Sequence, residues 1–199
     1  MNHHVNAISA RLSLRTAQRE SLEIMARIAE LTPLSKQYNL GALLSEIQAE
    51  FPSVEDFERE FPSLCFALAT GVGKTRLMGA FISYLHLAKG IRHFFVLAPN
   101  LTIYNKLIDD FTPNHPKYVF QGIAEFAQNP PEIITGDNYE NGRGTRIQDM
   151  YASISVNILI SPRSTLRLGE AGRRASSACR SILAKAISII CPASMTWCC

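Results

Sequence analysis

The chain has 199 residues, 47% of them apolar and 19% charged, with a formal charge of +3 at pH 7. This composition fits one folded domain with a sizeable core and excludes global disorder. No stretch approaches the roughly 18 uninterrupted apolar residues that a membrane span needs, which excludes an integral helical membrane protein.

The first 19 residues contain Arg11, Arg15 and Arg19 and no acid, a faint likeness to a transit peptide. They lack the apolar run and small-residue cleavage site of a secretory signal, so the expected location is the cytoplasm. Leu22, Met25, Ile28, Ala29 and Leu31 recur at three- and four-residue intervals, predicting an amphipathic helix over 14–31 that Pro33 ends. A second helical pattern follows Gly41, with Leu43, Leu44 and Ile47. The charged piece 54–60, between Pro52 and Pro62, reads as a surface turn of helix.

From Leu64 to Ala69 the chain is continuously apolar, as expected of a strand buried on both faces. The loop Thr70, Gly71, Val72, Gly73 comes next. A helical pattern then runs from Lys74, with Leu77, Met78, Phe81, Tyr84, Leu85 and Ala88 on one stripe, until Gly90 supplies a C-terminal stop. Residues 94–98 form a second buried-strand run ended by Pro99. Strand, glycine loop, helix and parallel strand together predict a right-handed βαβ unit. Beyond it the sequence predicts a helix over 101–111, strands at 117–121, 132–135 and 153–160, and turns through 136–144.

The last segment differs in kind. Residues 161–199 hold six basic residues against the single acid Glu170, which leaves 14 basic and 16 acidic residues in 1–160. The body is therefore not a generic basic nucleic-acid binder. Of the five cysteines only Cys65 lies in the body, while Cys179, Cys191, Cys198 and Cys199 crowd the end. An odd count without C-x-x-C pairs or histidines at ligand spacing argues against a disulfide framework or a zinc site.

The chemistry sits at Thr70, Gly71, Val72, Gly73, Lys74 and Thr75. Two glycines free the backbone to turn successive N–H groups onto phosphate oxygens, and the following helix aims its positive end at the same anion. In such a loop the Lys74 ammonium reaches the β- and γ-phosphates and the Thr75 hydroxyl ligates Mg²⁺. The first glycine of the G-x-x-x-x-G-K-[ST] pattern is replaced by Leu68, which shifts the subclass more than the function. The plain alternative is a glycine-rich turn that binds nothing.

The variant A-T-G-V-G-K-T resembles motif I of superfamily 2 helicases and restriction-enzyme motors. Leu14-Arg15-Thr16-Ala17-Gln18 resembles the family's Q-tip element, which implies that the Gln18 amide reads adenine. The segment from Phe95 through Pro99, Asn100 and Thr102 resembles motif Ia, which implies contacts of Pro99, Asn100 and Thr102 with DNA. The blocks PNLTIYNKLIDDF, PKYVF and ITGDNYENG resemble the ATPase (Res) subunit of type III restriction enzymes, superfamily 2 motors of the DEAD/DEAH type. Asp137, Asn138 and Glu140 in the last block lack calcium-loop spacing and read as a solvated turn.

The resemblance implies an α/β fold: an incomplete RecA-like P-loop domain, with a mostly parallel sheet flanked by helices. It divides the chain into an N-terminal helical segment (1–61), a partial ATP-binding domain (62–160) and an aberrant, poorly ordered tail (161–199). It further implies ATP and Mg²⁺ as cofactors, and double-stranded DNA and a modification methyltransferase subunit as partners. The activity implied is a helicase or translocase that serves restriction, with a nuclease domain farther along the intact protein. Hydrolysis also needs an acidic D-E-A-H-type box and an arginine finger. No Asp-Glu pair follows Ile160, so the catalytic residues are unassigned and the expected chain binds ATP without turning it over. One permitted choice of codons for 161–199, read in another frame, gives a charge-balanced sequence ending in an aspartate-containing apolar stretch. The tail from about Leu159 is thus expected to be a frameshift product of a truncated motor subunit. The competing expectations are a small P-loop phosphotransferase and a non-functional remnant with an open sheet edge.

Overall fold

The computed structural model describes residues 2–32, 39–57, 61–139, 154–160, 187–190 and 196–198. Three helices come first: α1 (His3–Arg11), α2 (Thr16–Leu31) and α3 (Leu40–Glu50). The mixed part follows as β1 (Cys65–Ala67), α4 (Lys74–Lys89), β2 (His93–Ala98), α5 (Leu101–Phe111), α6 (Ala124–Gln128), β3 (Glu132–Ile134), α7 (Gly136–Tyr139) and β4 (Ser155–Ile160). Two further strands, β5 (Ile187–Ile190) and β6 (Thr196–Cys198), complete a sheet in the order β1-β6-β5-β2-β4-β3.

β2 is the hub of the sheet, parallel to β4 in the register Phe94↔Val156 and to β5 in the register Phe94↔Ile187. β3 runs parallel to β4, and β6 is antiparallel to both β1 and β5. By this chain of pairings β1 and β2 point the same way. Their C-terminal ends, and the loops that leave them, therefore emerge at one edge of the sheet, where parallel α/β sheets place their ligands. The fold is the expected α/β arrangement of a mostly parallel sheet flanked by helices, with β6 the antiparallel member.

The sheet centre is as apolar as the sequence predicts: Phe94, Phe95, Val96 and Ala98 of β2 and Val156 and Ile158 of β4 are buried. β1 departs from expectation. Phe66 is buried but Cys65 and Ala67 are exposed, so only one face of β1 is covered. α4 lies deepest among the helices, with every residue from Leu77 to Leu85 buried. It packs against α1 and α2, and Phe81 meets Phe66 of β1 at 5.0 Å between ring centroids. Gly90 ends it in the left-handed conformation at φ 69°, the stop that its lack of a Cβ allows.

α1 was not foreseen from the sequence. Val5, Ile8 and Leu12 form a buried stripe in the main core, and burial of each contributes about 1.5–3 kcal/mol. Asn2 caps α1 by accepting from the His4 and Val5 amides, and its Nδ2 donates to Glu30 of α2 at 2.7 Å and to the Tyr84 hydroxyl of α4 at 2.9 Å. One side chain thus ties three helices together. α3 docks on α2 through a satellite core of Ile28, Leu43, Ile47 and Phe57, reinforced by the Arg27–Glu50 ion pair.

Two more expectations are corrected. Residues 117–121 are not a strand but a turn, in which Val119 donates its amide to the Asp110 carbonyl and Phe120 packs edge-on against Phe111 and Phe126. β-branched and aromatic residues favour strands only when a neighbouring strand receives them, and here helices do. Residues 54–57 form no helix, and 58–60 lie outside the described residues. The polar stretch after β3 begins with the short helix α7, and its continuation through Glu140 lies outside the described residues. Within 161–199 only β5 and β6 are described.

Candidate nucleotide-binding site

The loop between β1 and α4 is shaped by its two glycines. Gly71 has φ 79° and Gly73 has φ 90°, both in the region where a Cβ strains the backbone. A Cβ on Gly71 would meet no heavy atom within 4 Å, so that glycine is required by conformation alone. A Cβ on Gly73 would lie 2.8 Å from Gln18 Nε2, so that glycine is required by conformation and by space.

Gly73 is also the N-cap of α4 and offers no side-chain acceptor. The first bond of the helix runs from the Leu77 amide to the Gly73 carbonyl at 3.2 Å. The amides of Lys74, Thr75 and Arg76 therefore precede the helical ladder and carry the positive end of the helix dipole. Thr70, Gly71 and Gly73 are exposed, and Val72, Lys74 and Thr75 are half-buried. Conformation, amides, ammonium and hydroxyl fit a polyphosphate with a divalent cation.

The start of α2 grips this loop from behind. The Gln18 Nε2 donates to the Gly73 carbonyl at 2.9 Å, and its Oε1 accepts the Arg15 amide at 2.8 Å. The Arg15 guanidinium donates to the Gly71 carbonyl at 3.3 Å. Gln18 is 2% exposed. Arg15 is a site residue that sequence reasoning missed, although it stands in the same five-residue block as Gln18. The Arg76 guanidinium, one residue after Thr75, donates to the Leu12 carbonyl at the end of α1.

The second group of expected site residues follows β2. Pro99 is buried. The Asn100 side chain is the N-cap of α5 and accepts the Ile103 amide at 2.9 Å. Thr102 is exposed, and so is Leu101, at 61%. The structure therefore brings Gln18 to the 70–75 loop and places Pro99, Asn100 and Thr102 after a strand that points to the same sheet edge. In the turn after β3, Asn138 accepts the Thr135 amide and donates to the Ile133 carbonyl. Among the described residues no group of three or more His, Cys, Asp or Glu side chains is placed to hold a metal ion. Among them, too, no helix is long and apolar enough to cross a membrane.

A family model described as the res subunit of type III restriction enzymes matches residues 11–170. Among curated proteins the chain is similar to the probable type III restriction-modification enzyme HindVIP Res subunit of Haemophilus influenzae. The two are 39% identical over 72 residues, 36% of this chain and 13% of that protein. The matched part is thus a small fraction of the relative's length. No solved structure matches.

Proposed function

The chain belongs to the Res-subunit family of type III restriction enzymes, and on that premise we propose that it is the ATP-gripping part of a DNA-translocating restriction motor. The single observation that carries the reading is the pair of left-handed glycines at Gly71 and Gly73, opening directly into Lys74 and Thr75 at the uncapped start of α4.

In this reading the amides of 70–75 enclose the phosphates of ATP. The Lys74 ammonium offsets charge on the terminal phosphates, and the Thr75 hydroxyl holds Mg²⁺. A bound triphosphate supplies the phosphoanhydride whose cleavage drives movement along DNA. DNA meets the turn from Pro99 to Thr102. Since Pro99 is buried and the Asn100 side chain caps α5, the exposed Thr102 hydroxyl makes the phosphate contact. Double-stranded DNA and a modification methyltransferase subunit are the partners.

Hydrolysis lies outside what these residues supply. After Ile160 the sequence has one acid, Glu170, and no Asp-Glu pair, so the expected property of this chain is ATP binding without turnover. The change of composition after Ile160 supports a frame change near Leu159, which the coding DNA tests: an open shifted frame should run on to an acidic box.

Titration of the purified chain with a fluorescent ATP analogue tests the main reading. Saturable, Mg²⁺-dependent binding is expected, with no phosphate release in the presence or absence of DNA. Absence of binding overturns the nucleotide reading, and DNA-stimulated hydrolysis overturns the claim of incompetence.

A further inference from the structure

We propose that Cys65 of β1 and Cys198 of β6 are a covalent cross-linking site, joined by a reversible disulfide that fastens β1 to the rest of the sheet. The inference goes beyond nucleotide binding and does not depend on it. Spacing along the chain points to no disulfide framework, but strand register brings these two cysteines together. β1 and β6 pair antiparallel as Cys65↔Cys198, Phe66↔Trp197 and Ala67↔Thr196, and only the first of these joins two sulfurs. The register is held from the other side as well, because β6 meets β5 through Ile190↔Cys198. Residues directly opposite in an antiparallel pair have Cα atoms about 4.5–5.5 Å apart, within the roughly 4.4–6.8 Å that a disulfide spans. Such residues also share a face of the sheet. Cys65 is on the exposed face of β1, with Phe66 on the buried one, so a small oxidant or reductant has access.

The oxidant is a small-molecule disulfide such as oxidised glutathione. The Cys65 thiolate attacks it, a mixed disulfide forms and one glutathione thiolate leaves. The Cys198 thiolate then attacks the Cys65 sulfur and expels the second glutathione. Two protein thiols are oxidised, one glutathione disulfide is reduced, and the two protons end on the two glutathione thiols. Exposed disulfides are the labile kind, so an excess of thiol reopens the bond. Its position gives it a mechanical consequence. Among the described residues β1 has β6 as its strand neighbour, and β6 reaches the hub β2 through β5. Cys198 is paired on both sides and so stands where these junctions meet. A bond there pins β1 to the sheet and closes the chain from 65 to 198, which lowers the entropy of the unfolded state.

The test oxidises the full chain in native buffer with oxidised glutathione, then alkylates it, digests it with trypsin and maps the fragments by mass. Cleavage leaves Cys65 in the fragment 60–74 and Cys198 in the fragment 186–199, which also holds Cys191 and Cys199. A link between the two fragments within one molecule is expected in the wild type, in Cys191→Ser and in Cys199→Ser. It should vanish in Cys65→Ser and in Cys198→Ser. The oxidised wild type should melt roughly 5–15 °C above the reduced one, and dithiothreitol should abolish the difference. Absence of the link after oxidation overturns the proposal, and so does a link that joins two copies. A link that survives Cys198→Ser, or is lost in Cys191→Ser or Cys199→Ser, also overturns it by giving Cys65 another partner. The last two variants keep the assignment decidable if Cys198→Ser folds poorly. A link with no rise in melting temperature overturns the fastening of β1.

Discussion

Gly79 and Val119 meet so closely that a Cβ on the glycine would lie 2.9 Å from both the Val119 Cβ and the Val119 carbonyl oxygen. The contact joins the middle of α4, the helix that begins at the 70–75 loop, to the turn that follows α5. The glycine is helical, so it is needed for space and not for backbone freedom. Gly79→Ala is expected to destabilise the protein by about 1–3 kcal/mol through overpacking. Val119→Ala added to it should restore only part of the loss, because the carbonyl stays in place. Urea denaturation of the single and double variants checks both statements, and a fully additive pair would show that the two residues do not press on one another.

Lys74→Ala is expected to reduce affinity for an ATP analogue by more than about tenfold, since a charge-assisted contact to phosphate is lost. Lys74 is half-buried at the first position of α4 and outside the core, so the melting temperature should hardly change. Analogue titration and thermal melting on the same sample separate a lost ligand contact from a lost fold.

Asp110 supplies a pH prediction. It is 4% exposed, and burial pushes its carboxyl above the ordinary 3.8, an effect that Lys106, His115 and Lys117 only partly offset. A carboxyl whose folded pKa is raised favours the folded state fully below its unfolded value, and that advantage is lost as the pH rises through the folded one. Asp110→Asn should therefore be more stable than wild type at neutral pH, with the difference vanishing on the acid side of 3.8. Denaturation midpoints across that range decide it. A less stable variant at neutral pH would mean that the 3.8 Å pair with Lys106 outweighs the burial.

Asn138 guards an edge. β3 ends the sheet order, and the Glu132 amide points inward to the Ile154 carbonyl. The alternation of a strand then turns the Ile133 carbonyl outward, where Asn138 Nδ2 covers it at 3.0 Å. Asn138→Ala should expose that carbonyl to strand pairing with a second copy. Light scattering against concentration is expected to show an apparent mass that rises for the variant more than for wild type. Identical curves would deny the guard role.

Much of this was legible from local pattern. Residues 101–111 read as a helix, and α5 has those bounds; Gly90 reads as a stop and is one. The shape of the 70–75 loop was legible because two glycines stand just before a helical pattern, and both are left-handed at the start of α4. What escaped depends on partners distant in sequence. The Arg15 and Gln18 contacts with the loop span 56 and 55 residues, a separation that no periodicity encodes. Tyr118, Val119 and Phe120 look like a strand until α4 and α5 are in place to receive them. α1 hid in an opening stretch of 19 residues with three arginines and no acid, which imitates a leader.

That imitation matters for anyone handling the protein. Trimming the opening dozen residues as though they were a dispensable presequence would strip Val5, Ile8 and Leu12 from the interior, cut Asn2 loose from Tyr84, and take away the Leu12 carbonyl that receives Arg76. A shortened clone should then come out of the cell as inclusion bodies, and a purification handle is better placed elsewhere.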